Sequence, residues 1–235
     1  GKVTRYELNV GTNSWVQDFN FAPLHSPSKG DQMGSSLSLS NNGQVVAIGS
    51  MGANGGAGQV HVYAMSNGST QLVGGVVQGS QSNEGQGKQV VYSEQGGSTI
   101  LMTLSASGQA SIHVLNGGGN KWLSRFTSAS QYTNIGFNVI SGKYTAALGF
   151  MTCGENQVPC VGGGRRAHVQ ILQNRNNINQ WSTVETDLLN TDNVLLNDRG
   201  MALSLARQAN LVAVGIPGSS DSGAAYSGRV HVKEF

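Results

Sequence analysis

The stretch "MGSSLSLSNNGQVVAIGSMGANGGAGQVHVYAM", residues 33–65, contains three strand-like segments in succession. In "GSSLSLS" serine and leucine alternate, the two-residue period of a strand with one covered face. "QVVAIGS" is a short unbroken apolar run, the pattern of a strand buried on both faces. "GQVHVYAM" is again rich in β-branched and aromatic residues, and the Asn- and Gly-rich clusters between the three segments read as turns.

The same order returns along the chain. A glycine opens an alternating run at Gly34, Gly87, Gly136 and Gly200. The more apolar segments "QVVAIGS", "STILMTLS", "KYTAALGF" and "NLVAVGIP" follow, and then "GQVHVYAM", "ASIHVLN", "RAHVQIL" and "GRVHVKEF". A fourth segment appears in three units as "STQLVGGV", "NKWLSRFT" and "NQWSTVET". Units of about 50 residues with four antiparallel strands are what a β-propeller blade requires, because stacked blades bury their inner strands twice. The sequence therefore predicts an all-β, β-propeller-like fold of four to five blades, organised as one domain over 1–235. Its units run over 33–86, 87–134 and 135–198, with partial units at 1–32 and 199–235.

The two partial units set a strand count. "GKVTRYELN" and "NSWVQDF" match a third and a fourth strand, whereas the last unit ends on its third strand at Phe235. The terminal blade is thus expected to be incomplete, or completed by the N-terminal strands or by a neighbouring chain. An unpaired strand edge is a template for another strand. Val3, Arg5, Tyr6, Trp15, Val230, His231, Val232 and Phe235 are the candidate assembly residues on these strands.

At repeat level the pattern "G-x-S-(L/V)-x-(L/V)-S" followed by "V-A-(I/V)-G" and "G-x-V-x-V-Y" resembles the FG-GAP repeats of integrin-α-like propellers. Residues 33–63 match best and 199–235 next. The resemblance implies a propeller and, in many of its members, an aspartate-rich calcium loop between the first two strands. The equivalent segments here, "SNNGQ", "SEQGGS", "SGK" and "ARQAN", contain no aspartate. Calcium takes several oxygen ligands, commonly carboxylates, so the family's metal sites are not expected here.

Composition narrows the function. Charged residues make up 11% of the chain against about a quarter in an ordinary domain, and there are 34 glycines. A formal net charge of +2 without a basic run gives no footprint for nucleic acid, and Arg165-Arg166 reads as a loop end. No apolar run is long enough for a membrane-spanning helix. Cys153 and Cys160, with six turn-forming residues between them, suit a loop disulfide, and "NGS" at Asn67 is a glycan acceptor sequon. Both features suggest a secretory route and an extracellular or cell-surface location. The chain starts without an initiator Met or signal peptide, as a mature or trimmed product would.

His61, His113, His168 and His231 recur in the third segment of their units, where a repeated structural imidazole explains them better than a metal cluster. Trp15, Trp122 and Trp181 open fourth segments and suit blade-edge packing, with sugar stacking as the functional alternative. Asp187, Asp192 and Asp198 flank the longest link, but spacing ties no base or nucleophile to them. No catalytic residue, cofactor or metal site is assigned. The function expected from sequence is a non-enzymatic, secreted structural module that forms homo-oligomers or polymers, self-assembling through its terminal strands into a filament or matrix. Glycans or matrix proteins are further candidate partners. The alternative is a carbohydrate- or protein-binding, lectin-like propeller acting through loops on one face.

Overall fold

The structure is a computed structural model and describes the chain except residues 19–20, 22–26, 67–68, 96–97, 129–132, 140–144, 154–164, 175–180, 186–201, 207–210, 217–227 and 235. It begins with a two-stranded sheet of β1 (Arg5–Asn9) and β2 (Ser14–Asp18), paired antiparallel with Leu8 opposite Trp15 and Arg5 opposite Asp18. Next comes a sheet in the order β3 (Met33–Leu39), β4 (Val45–Ser50), β5 (Gln59–Ser66) and β6 (Ser69–Leu72). The short β7 (Val77–Gln78) also pairs with β5. The second sheet runs through β8 (Gln89–Gln95), β9 (Ser98–Leu104), β10 (Ala110–Leu115) and β11 (Trp122–Thr127).

The third sheet contains β12 (Thr133–Val139), β13 (Thr145–Cys153), β14 (Arg165–Gln173) and β15 (Ser182–Glu185). The fourth has three strands, β16 (Ala202–Leu205), β17 (Leu211–Ile216) and β18 (Arg229–Glu234). In the N-terminal hairpin and in the first, third and fourth of these sheets the strands pair antiparallel. The fold is therefore all-β and propeller-like, built of sheets in the order of the sequence repeat, the last with three strands among the described residues. β7 is the strand that the repeat pattern did not announce.

The chain divides into two compact units. The first holds residues 1–94, 98–106 and 112–124; the second holds 95–97, 107–111 and 125–235. In the first unit the period-two pattern of β4 and β5 sorts their side chains onto two faces. Val45, Ala47, Val60 and Val62 join Val90, Tyr92, Leu101 and Trp122 in one core, with Leu115 packed against it. Val46, Ile48, Tyr63 and Met65 join Met33 in another, covered in part by Val3 and Phe21. The continuous apolar run of β4 is thus explained, since every one of its residues is buried. In the second unit Ala146, Ala147, Leu148, Val169, Ile171 and Leu172 form the buried middle of β13 and β14, and Val212, Val214 and Ile216 the buried side of β17.

Serine and glycine do the joining between β3 and β8. Ser36 Oγ donates to the Gly87 carbonyl at 2.8 Å, and the Tyr92 amide donates to Ser38 Oγ at 3.0 Å. Gly87 holds φ +89°, and a Cβ there would meet the Gln59 carbonyl oxygen at 2.8 Å and the Gly49 Cα at 3.0 Å. The glycine that opens each unit in the sequence is, at this position, required by a left-handed backbone and a close approach. In the turn where the FG-GAP resemblance would place calcium, Asn42 Oδ1 accepts hydrogen bonds from Ser40 Oγ at 2.7 Å and the Gln44 amide at 3.0 Å. An amide side chain closes this turn by itself.

Candidate functional site

Polar groups that could do chemistry meet at one place among the described residues of the first unit. Gln86 Nε2 donates to Thr103 Oγ1 at 2.8 Å, and Thr103 Oγ1 lies 3.2 Å from His113 Nε2. Because the hydroxyl accepts from the amide, its own proton is free to be donated to the imidazole, which suits the neutral ring with its proton on Nδ1. Burial lowers the His113 pKa to about 4, which keeps the ring neutral near pH 7. All three residues are buried, Thr103 fully. A hydroxyl–imidazole pair is the first half of a nucleophile–base arrangement. Here it is closed off from solvent and tied to the loop before β8, so in this conformation it acts as a latch.

The loop itself is held by backbone bonds. Gly85 and Gln86 donate their amides to the Gly56 and Ala57 carbonyls, and Ala106 donates to the Gly85 carbonyl. Spacing did not reveal this cluster, because Gln86, Thr103 and His113 fall in different strands and loops. The repeated His in the third strand was its one visible member. A second polar pair, Tyr92 OH donating to Glu94, sits two residues apart on β8. Burial first, then the Glu94 carboxylate, pushes the Tyr92 phenol well above the usual tyrosine range.

The four recurrent histidines each lie in the third strand of a sheet, His61 in β5, His113 in β10, His168 in β14 and His231 in β18. His61 stacks on Tyr63 with ring centroids 5.8 Å apart. No group of three His, Cys, Asp or Glu side chains is placed to hold a metal among the described residues. The tryptophans separate into two kinds. Trp122 and Trp181 are each 8% exposed, and Trp122 Nε1 donates to the Val73 carbonyl at 2.9 Å. Trp15 is 69% exposed, on the same face of its hairpin as Tyr6 and Leu8.

The remaining assembly candidates are placed as follows. Val3 packs against the Met33 core, and Arg5 bridges Asp18 at 3.1 Å and also Glu7. His231 is half-buried, whereas Val230 and Val232 are 76% and 65% exposed. Asn67, Phe235, Asp187, Asp192 and Asp198 lie outside the described residues. Cys153 ends β13 opposite Arg165, and Cys160 also lies outside the described residues. The expected loop disulfide therefore falls outside the described residues. No described helix is long and apolar enough to cross a membrane.

No protein-family model and no curated protein match the sequence. Solved structures do match by fold. Sqt1 of Saccharomyces cerevisiae is similar over 79% of this chain and 43% of its own, at 12% identity and a TM-score of 0.51. A candidate 6-phosphogluconolactonase from Bacteroides uniformis is similar over 97% of this chain and 62% of its own, at 11% identity and a TM-score of 0.53. The acylaminoacyl peptidase of Pyrococcus horikoshii is similar over 85% and 30%, at 10% identity and a TM-score of 0.52. The chain spans less than two thirds of the length of each of these proteins, and identities this low establish fold alone.

These likenesses correct two expectations. The FG-GAP resemblance is not upheld, since no family model matches and the fold likeness is to Sqt1 and a lactonase-type protein. The motif that carried it, alternating Ser and Leu before an apolar run, is what any stacked blade needs for its first two strands. The secreted, filament-forming or adhesive module and its lectin-like alternative are likewise set aside. The three similar structures named above are a candidate lactonase, a peptidase and Sqt1, none of them described as a matrix filament or an adhesin.

Proposed function

We propose that this chain is the propeller scaffold of a hydrolase-type enzyme that opens a small lactone or ester. The observation that carries the reading is the fold likeness to the candidate 6-phosphogluconolactonase across 97% of this chain, and the peptidase adds a second hydrolase with a similar fold. In such a reaction water adds its oxygen to the acyl carbon, the ring C–O bond breaks with its oxygen taking up a proton as the new hydroxyl, and the product leaves as a hydroxy carboxylate and one proton. The sheets supply the frame, because their meeting polar groups, Gln86, Thr103 and His113, are spent on holding it together. The reacting groups then come from loops at the strand ends, where a rigid sheet leaves side chains accessible. Charge argues for an uncharged substrate. A phosphorylated lactone calls for convergent Arg or Lys donors, and this chain has 14 such residues with a single adjacent Arg pair.

The test is titration of the acid released when purified chain is mixed with gluconolactone or its 6-phosphate. Release from the neutral lactone well above the spontaneous rate, lost on heat unfolding, is the expected outcome. A rate equal to buffer for both substrates would overturn the proposal.

A further inference from the structure

Residues 79–87, between β7 and β8, form a strap against the glycine-rich turn at 52–58, and both segments belong to the first unit, as do Thr103 and His113. The tip of the strap is tied to itself. Glu84 Oε2 accepts the Ser80 amide at 2.6 Å, the Ser80 hydroxyl at 3.0 Å and the Gln81 amide at 3.2 Å. The ends are tied to the turn through the backbone, Gly79 donating to the Gly58 carbonyl, Gly85 to Gly56 and Gln86 to Ala57. The Gln86 side chain fastens the strap to β9 through Thr103. Gly85 and Gly87 flank it at φ +65° and +89°, so the residues beside the catch are the ones whose backbone turns most freely.

The catch depends on the charge of His113. Thr103 Oγ1 accepts from Gln86 Nε2 at 2.8 Å and has His113 Nε2, 3.2 Å away, as the acceptor for its own proton. A protonated imidazole donates from both nitrogens, so the Thr103 oxygen then meets two donors and its proton loses its acceptor. A buried hydroxyl in that state is costly until water reaches it. The titratable groups on the surrounding elements are Glu84 of the strap and Lys88 after it, Tyr92 and Glu94 of β8, and Arg125 of β11. His61 of β5 lies on the sheet face away from Val60 and Val62, and β4, β7 and β9 carry none. Burial, and none of these charges, sets the proton affinity of His113.

We propose that the strap is an acid-released lid: protonation of His113 breaks the Gln86–Thr103 catch, and residues 79–87 lift from the 52–58 turn while the sheets stay folded. Lifting brings the Thr103 hydroxyl and the His113 imidazole into contact with water. Protonation of a buried histidine is an established way to bias a two-state element. The inference stands apart from the hydrolase reading, since a strap can open in a protein that turns over no substrate.

Amide hydrogen exchange of the intact chain tests it, each rate being divided by the intrinsic rate at the same pH. The Gly79, Gly85 and Gln86 amides are expected to lose about 100-fold of their protection between pH 7 and pH 4, as linkage requires when the open strap frees the ring. Low urea separates local opening from unfolding: the strap amides should exchange independently of urea, whereas the β4 amides follow it. Gln86→Ala should lower strap protection about tenfold at pH 7. His113→Gln should remove its dependence on pH. Strap protection that is the same at pH 7 and pH 4 overturns the proposal, and so does protection that falls only in step with the β4 amides and their urea dependence. Both outcomes are read on the wild type and stand whether or not a variant folds. A pH dependence that persists in folded His113→Gln overturns it as well.

Discussion

The indole of Trp122 donates its Nε1–H to the carbonyl of Val73 at 2.9 Å, a contact 49 residues back along the chain. The ring lies against Gly74, where an added Cβ would sit 2.4 Å from Nε1. One side chain therefore supplies both apolar burial and the only polar contact the indole needs. Trp122→Ala should cost about 3–5 kcal/mol in urea unfolding, the range for emptying a buried aromatic site. Trp122→Phe keeps part of the burial but leaves the Val73 carbonyl without its partner, and should cost about 1–3 kcal/mol.

Gly87 meets Gly49 and the Gln59 carbonyl closely while holding a left-handed backbone. Gly87→Ala should therefore destabilise by at least about 1–3 kcal/mol, the usual range for a strained backbone position, with the added clash raising it. Ser36→Ala removes only the hydroxyl that bonds the Gly87 carbonyl and should cost about 1 kcal/mol. Thermal unfolding of the two variants gives the comparison, and equal losses would show that the close approach carries no special strain.

The sheet order was legible in sequence because each strand declares itself by period. The alternation of "GSSLSLS" and the apolar run "QVVAIGS" are local, and β3 and β4 follow from them without reference to distant residues. The three described strands of the final sheet were legible for the same reason. Pairings across sheets were not, because they depend on which side chains a fold brings together from afar. Nothing near Thr103 announces Gln86, and nothing in "NKWLSRFT" announces Val73. The three tryptophans look alike in sequence, yet Trp15 is exposed while Trp122 is buried against the core that contains Val60 and Val62. The FG-GAP resemblance misled by a related route: it rested on residues that serve blade stacking, which propellers of different descent share.

Tyr92 and Glu94 give a prediction for alkaline solution. The phenol is held above its ordinary pKa of 10 by burial, then by its hydrogen bond to the Glu94 carboxylate and by that charge. The folded pKa lies above the unfolded one, so the stabilisation is whole below pH 10 and is lost as pH rises beyond it. In an ultraviolet titration the Tyr92 phenol should ionise only well above pH 10. Glu94→Gln removes the charge and should bring its ionisation to lower pH. A titration curve unchanged by that substitution would leave burial as the only cause.

His113 sets the opposite limit at acid pH. Burial lowers its pKa from 6.5 to about 4, so between those values the unfolded chain binds a proton that the folded chain does not. Stability from this group is therefore complete above pH 6.5 and falls as the pH drops towards 4, below which no more is lost. The shift corresponds to a loss on the order of 3 kcal/mol across that window. Protonation also places a second donor against Thr103 Oγ1, whose own proton must then turn away from Nε2. His113→Gln should flatten the dependence of urea-unfolding stability on pH between 6.5 and 4 and lower stability at pH 7. Thr103→Val, by contrast, should keep the slope, since burial and not the hydroxyl causes the shift. A wild-type stability that does not change between pH 6.5 and 4 would show that His113 is solvated in the folded protein.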